Sequence, residues 1–296
     1  MASTDKYLLT FDIGNSQTVI AAYPYPTDGV AAGADRESSL PPPSAPLASW
    51  RLATSYTRTV DELIVLLHSL LTLRQISPAQ VLGVAIASVV PPVLPAFVEA
   101  CRKLFPAASA PLVAKAEQAQ KAGVKIDYPS PGEIGADRLL NCVAVLHRFR
   151  VPAIVVDFGT ATTFDVISTD GAFVGGAIAP GVVTNLEALA QKTARLPKVE
   201  LAAPPDVIGK STSQAIQSGL IFGAAAQVEG MVARITRALG LTTRPLVIAT
   251  GGLAALIAPH TSAIDRIEPF LTLDGLRLLY VFNGHGAGTP ARGELA

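Results

Sequence analysis

Asp12-Ile13-Gly14-Asn15-Ser16-Gln17-Thr18-Val19 and Asp157-Phe158-Gly159-Thr160-Ala161-Thr162-Thr163-Phe164 share one grammar. The first follows the apolar run Tyr7-Leu8-Leu9-Thr10-Phe11 and the second follows Ala153-Ile154-Val155-Val156, both of buried-strand character. Each then presents a carboxylate, a glycine turn, small hydroxyl or amide side chains, and a further apolar, β-branched run. Taken singly, either run is satisfied by a hairpin turn in which Asp bonds its own backbone. The pair predicts a chain of two similar halves facing a shared cleft where phosphates could be held. Gly14 and Gly159 let the backbone approach a ligand closely. The N–H groups that follow, with Asn15, Ser16, Thr18, Thr160 and Thr162, offer neutral donors to phosphate oxygens. A carboxylate beside a phosphate repels it, so Asp12 and Asp157 are expected to anchor cations, directly or through water.

The chain of 296 residues is long enough for one large domain or two medium ones. Half of it is hydrophobic and 16% is charged, as buried strands in an α/β protein require. Lys+Arg and Asp+Glu are equal in number, so no basic field is present to gather nucleic acid or anionic lipid, and neither is expected as a main partner. No apolar run is long enough to span a bilayer, and Met1-Ala2-Ser3-Thr4-Asp5-Lys6 lacks the charged-then-apolar pattern of a signal peptide. A cytoplasmic protein is expected. Cys101 and Cys142 sit among apolar neighbours and are expected to be small buried hydrophobes.

Outward from the first motif, strands are expected at Thr18 to Tyr23 and Trp50 to Ala53. They are separated by a Pro-, Gly- and Ala-rich insertion at about 24–48 that either lies over a nucleotide cleft or hangs in solvent. Helical spacing of apolar residues follows from Val60 to Leu73, then a buried strand from Val81 to Ala87, a helix opened by Pro91-Pro92, and a strand at Leu112-Val113. A boundary is expected near Ala114 to Pro131. Beyond it come a helix from Ala136 to Phe149, strands at 153–157, 162–168 and 173–179, and helices at 181–193 and 211–239. A strand from Leu246 to Ala249 and helices near 252–258 and 271–282 complete the pattern. The expected division is 1–120 and 121–283, with a frayed tail at 284–296.

A third constellation opens the second half: Tyr128-Pro129-Ser130-Pro131-Gly132-Glu133-Ile134-Gly135-Ala136-Asp137-Arg138. Asp137 falls in the first turn of a helix, where an acidic side chain is favoured electrostatically, so capping alone would explain it. The alternative is a proton acceptor for a substrate hydroxyl, with Arg138 gripping an anionic or carbonyl group through its planar fork. An ordinary carboxylate is a weak base, which phosphoryl transfer tolerates because its loose transition state asks mainly for positioning and charge neutralisation.

Ile208-Gly209-Lys210-Ser211-Thr212 imitates the end of a P-loop, but the glycine required five positions earlier is Pro204, and Pro205 follows it. Prolines there remove donors that a phosphate cradle needs. Gly251-Gly252, after a strand, is compatible with a turn on the adenosine side of a nucleotide site.

The strand–strand–strand–helix order after each aspartate resembles the actin/hexokinase/Hsp70-like fold, an α/β architecture of two similar halves, each a mixed sheet flanked by helices. Along nearly its whole length the chain also resembles type III pantothenate kinase. The shared pieces are Asp-x-Gly-Asn at 12–15, Tyr-x-x-Pro at 128–131, Gly-Ala-Asp-Arg at 135–138, Asp-Phe-Gly-Thr-Ala-Thr-Thr at 157–163 and Gly-Gly-x-Ile-x-Pro-Gly at 175–181. Leu196-Pro197, residues 208–212 and Ala249-Thr250-Gly251-Gly252 continue it. Ser16 replaces the family's usual threonine and keeps the hydroxyl.

The resemblance implies an ATP-dependent kinase that phosphorylates the primary hydroxyl of pantothenate, the first step of coenzyme A biosynthesis. It implies that Asp12, Ile13, Gly14, Asn15, Ser16, Gln17, Thr18 and Val19 hold ATP phosphates with help from Thr160, and that Asp137 is the proton acceptor. Tyr128, Gly135, Ala136, Asp137, Arg138 and Thr212 would line the pantothenate site. Asp157 would bind a monovalent cation, K+ or NH4+, and Asp12 would anchor Mg2+. A homodimer is implied. Two other readings stay open: an accessory interaction protein of the same family that has lost catalysis, and another small-molecule kinase of the same fold.

Overall fold

The computed structural model describes residues 5–26, 45–192 and 199–284. Most of the Pro-rich insertion, Leu196-Pro197 and the tail beyond residue 284 lie outside the described residues. The chain groups into two compact units. Unit 1 takes the described residues up to Val124, with Ser130–Phe149 and the residues from Thr272 onward; unit 2 takes Lys125–Pro129 and Arg150–Leu271.

In unit 1, β1 (Tyr7–Ile13), β2 (Gln17–Pro24) and β3 (Ala48–Ala53) form an antiparallel meander. Strand β4 (Val81–Ser88) lies parallel to β1, and β5 (Leu112–Val113) parallel to β4, giving the order β3-β2-β1-β4-β5. Parallel neighbours need crossovers, supplied by α1 (Val60–Thr72) and α2 (Leu94–Leu104). The N-terminus of α1 is fixed by a capping box in which Thr59 and Glu62 bond each other's backbone N–H. The expected start of α2 at Pro91-Pro92 is instead a turn. Helix begins at Leu94, with Pro95 in its first turn, because consecutive prolines bias the residues before them away from helical geometry.

One face of this sheet carries Leu9, Phe11, Ile13, Ile20, Val84 and Ile86, packed on Leu63, Leu67 and Leu71 of α1 and on Phe97 and Cys101 of α2. The opposite face carries Leu8, Thr10 and Asp12 of β1, in register with Gly83, Ala85 and Ala87 of β4. Small residues there leave room for helices. A methyl on Gly83 would meet the Tyr280 ring at 2.7 Å. Tyr280 belongs to α8 (Leu271–Phe282).

In unit 2 the same arrangement recurs. Strands β7 (Ala153–Phe158), β8 (Ala161–Ile167) and β9 (Ala172–Pro180) form the meander, β10 (Leu246–Thr250) lies parallel to β7, and β11 (Arg266–Ile267) parallel to β10. An extra strand, β6 (Lys125–Ile126), extends the β9 edge. The apolar face, with Ile154, Val156, Phe158, Phe164, Val247 and Ala249, packs on Val182 of α5 (Val182–Lys192), Leu220, Ile221 and Val228 of α6 (Thr212–Ala238), and Ala254 of α7 (Ala254–Ile257). Two sheets with one topology make this the actin/hexokinase/Hsp70-like fold that the motif order predicts.

The stretch expected as a boundary, 114–131, holds α3 (Ala116–Lys121) and β6, and the first change of unit, from Val124 to Lys125, falls inside it. Helix α4 (Ala136–Arg148) and α8 group with unit 1 although the sequence runs them through the second half. The physical reason lies in side-chain packing within unit 1. A methyl on Gly275 of α8 would collide with the Leu140 carbonyl of α4, Thr272 donates to the buried Asn141 Oδ1 at 2.9 Å, and Arg148 pairs with Asp274 at 3.0 Å. Cys101 and Cys142 are buried, as expected, and neither is in a disulfide.

Candidate active site

In unit 1 the first motif ends one strand and starts the next. Ile13 points into the apolar core, so only its backbone is available to a ligand, whereas Asp12 faces the opposite side. The turn is closed by Gly14 N–H donating to the Gln17 carbonyl at 3.0 Å. Asn15, Ser16 and Gln17 are exposed, Val19 is half-buried and Thr18 is buried. Thr54, just beyond β3, donates its hydroxyl to the Gly14 carbonyl at 2.7 Å and lies 3.0 Å from the Thr18 hydroxyl. Nothing in the spacing of the motif marks Thr54; a hydroxyl residue directly after a strand that pairs with the motif is the available signal.

Asp137 sits in the first turn of α4 and accepts a hydrogen bond from Arg138 N–H at 2.9 Å. Gly135 holds the N-cap position with no side-chain cap, and a methyl there would overlap Asp137 Oδ1, so a larger residue would displace that carboxylate. Ala136 is buried and Arg138 half-buried. Burial raises the Asp137 pKa, opposed by the Arg138 N–H and the Arg138 charge. Asp137 is therefore a stronger base than the ordinary carboxylate anticipated from sequence.

Asp12 is pushed up to about 7, first by burial and then by the charge of Asp137. The two carboxylates, far apart in sequence, thus act on one another within unit 1. Such a pair favours either a proton or a cation on one member. Among the described residues, no group of three or more His, Cys, Asp or Glu side chains could hold a metal ion. The fit is to a cation that takes one or two carboxylates and completes its shell with phosphate oxygens and water, as Mg2+ does.

In unit 2, Asp157 stands in register with Thr163 of β8 and Thr250 of β10, on the face away from the apolar core. Gly251, at φ +88°, brings its α-carbon against this carboxylate. A methyl there would collide with Asp157 Oδ1 and lie 2.7 Å from the Phe158 backbone. A carboxylate flanked in register by two threonines suits a hard cation. Thr160 is exposed in the β7–β8 turn, and its carbonyl accepts from Gly181 N–H at 3.1 Å and from the Thr184 hydroxyl at 2.7 Å. This anchors the turn to the start of α5.

Tyr128 packs its ring against Phe173 at 6.0 Å between centroids, beside Gly175. Thr212 is the first residue of α6 and is exposed. The preceding Gly209-Lys210-Ser211 forms a helix cap: Ser211 accepts from Gln214 N–H at 3.2 Å, and the Gln214 side chain accepts from Lys210 N–H at 2.8 Å. Gly209 has no room for a methyl against Ala215. This is capping geometry, in agreement with rejection of the P-loop. The structure brings Asp12 together with Asp137, and Asp157 with Gly251; Tyr128 and Thr212 belong to unit 2, and Gly135–Arg138 to unit 1.

A family model described as type III pantothenate kinase matches residues 8–234. A type III pantothenate kinase of Roseiflexus sp. (strain RS-1) is 45% identical over 276 residues, covering 93% of this chain and 99% of that one. The corresponding protein of Anaeromyxobacter sp. (strain K) is 42% identical over 279 residues, with 93% and 99% covered, and that of Streptomyces griseus subsp. griseus is 43% identical over 281 residues, with 93% and 98% covered. Among solved structures, a chain described as a Baf family transcriptional activator from Campylobacter jejuni superposes with a TM-score of 0.54 at 16% identity, covering 93% of this chain and 98% of that one; at this identity the likeness concerns the fold alone. With the Asp12 turn, the Gly135–Arg138 helix start and the Asp157 turn all inside the matched span, the chain belongs to the type III pantothenate kinase family.

Proposed function

We propose that this protein transfers the γ-phosphoryl group of ATP to the primary hydroxyl of pantothenate, giving 4'-phosphopantothenate and ADP, the first step of coenzyme A biosynthesis. The observation that carries the reading is the half-buried Asp137 carboxylate acting on Asp12, in a chain whose relatives bear that name end to end. As the new O–P bond forms and the bond to the β–γ bridging oxygen breaks, Asp137 accepts the hydroxyl proton. Asp12 to Val19, with Thr160, hold the phosphates, and Tyr128, Gly135, Ala136, Arg138 and Thr212 contact pantothenate. Asp12 would hold Mg2+ accompanying ATP, and Asp157, with the Thr163 and Thr250 hydroxyls as register neighbours, would hold K+ or NH4+. These cations offset phosphate charge when bound.

A homodimer belongs to the same proposal. The exposed face of α6 carries Gly219, Gly223, Ala226, Gly230 and Ala233, and a methyl on any of the three glycines would touch nothing within 4 Å. Each helical glycine costs about 1 kcal/mol relative to alanine. Close approach of a second copy's helix accounts for that cost. Cytoplasmic residence is likewise proposed; among the described residues no helix is long and apolar enough to cross a membrane.

The test is ADP release with pantothenate against a panel of sugars and small carboxylic acids. Turnover confined to pantothenate is expected, and preference for another acceptor would overturn the assignment.

A further inference from the structure

Thr54 makes three contacts with one turn. Its hydroxyl donates to the Gly14 carbonyl at 2.7 Å, its N–H donates to the Ser16 carbonyl at 3.1 Å, and the Thr18 hydroxyl lies 3.0 Å from its Oγ1. Because the Thr54 proton is committed to Gly14, the Thr18 hydroxyl is the donor in the last pair. The β3 register then explains the placement: Ala53 pairs with Gln17, so residue 54 falls beside the turn itself.

A trans peptide points its C=O and N–H in opposite directions. Holding the Gly14 and Ser16 carbonyls toward Thr54 therefore turns the Asn15 and Gln17 N–H groups the other way. A carbonyl facing a phosphate repels it and an N–H attracts it, so the side taken by each peptide sets the polarity the turn offers to an anion. We infer that Thr54 is a positioning residue that fixes this polarity for the nucleotide phosphates. The inference rests on the proposed placement of ATP phosphates at Asp12 to Val19.

Thr54→Val keeps the shape and removes the hydroxyl; Thr54→Ser keeps the hydroxyl. In steady-state kinetics with ATP and pantothenate varied separately, T54V is expected to raise the KM for ATP about tenfold, the loss of one or two hydrogen bonds, with the KM for pantothenate unchanged. T54S is expected to stay within about twofold of the parent for both. An unchanged ATP KM in T54V, or an equal rise in both KM values, overturns the inference. Should T54V not fold, a weakened ATP KM in T54S overturns it by assigning the effect to the methyl group. Gly14→Ala separates the two levels: its methyl would meet the Gln17 carbonyl at 3.1 Å and disturb the turn directly. If neither G14A nor T54V affects ATP, the turn is not the phosphate site; if G14A alone does, only the role of Thr54 falls.

Discussion

The carboxylate of Asp137, in the first turn of α4, raises the proton affinity of Asp12, near the end of β1, adding to burial to bring the Asp12 carboxyl up to about 7. An unfolded aspartate releases its proton near pH 4, so the folded state binds this proton more tightly. The stability it contributes is complete below about pH 4 and is lost as pH rises through about 7. Asp12→Asn cannot ionise. In metal-free buffer it is expected to gain about 2 kcal/mol over the parent between pH 4 and pH 8 while losing turnover. Thermal unfolding at both pH values checks this; parallel melting curves would remove the Asp12–Asp137 coupling.

Asp137→Asn is expected to lower turnover about 10²- to 10⁴-fold with an unchanged far-UV circular dichroism spectrum, because asparagine still offers an acceptor to Arg138 N–H. In the parent, kcat/KM for pantothenate is expected to climb with pH through a midpoint above the ordinary carboxylate range, since a base must be deprotonated and burial raises its pKa. Near-parental turnover in D137N would assign the base elsewhere.

At Asp157, turnover is expected to fall sharply in sodium-only buffer and to return with potassium or ammonium. Gly251→Ala drives a methyl into Asp157 Oδ1 at a backbone φ of +88°. It is expected to abolish the potassium response and to lower stability by about 1–3 kcal/mol. A G251A protein that still distinguishes potassium from sodium would separate the cation from Asp157.

On α6, Gly223→Leu is expected to halve the mass measured by sedimentation, and Gly223→Ala to weaken the association to a smaller degree, since a methyl intrudes on the same close approach. A G223L protein that sediments like the parent would place the contact between copies on another surface.

Much of this architecture was legible because buried strands announce themselves. Leu8 to Ile13, Val81 to Ser88, Ala153 to Phe158 and Leu246 to Thr250 are apolar runs with sharp ends, and Asp12 and Asp157 stand near the C-terminal ends of the first and third. Strands β6 and β11 escaped because Lys125-Ile126 and Arg266-Ile267 offer one apolar residue each, unlike the apolar Leu112-Val113 of β5, and α3 because six residues of mixed polarity show no stripe. The neighbourhood of Asp12 and Asp137 is a tertiary fact that no local pattern encodes. The same holds for Thr54, an ordinary threonine until β3 pairs with β2 and sets it against Gly14.

The packing of Gly275 against Leu140 carries a consequence for biosynthesis. On the ribosome, β1 to β5 emerge first, α4 follows, and then residues 150–271 of unit 2 must be made before α8 appears. Unit 2 is nearly continuous in the chain and can close while synthesis proceeds. Helix α8 closes unit 1, so α4 and the carboxylate it bears gain that support only after residues 150–271 have been made. A nascent chain would thus hold no fully supported pair of aspartates until α8 had joined unit 1.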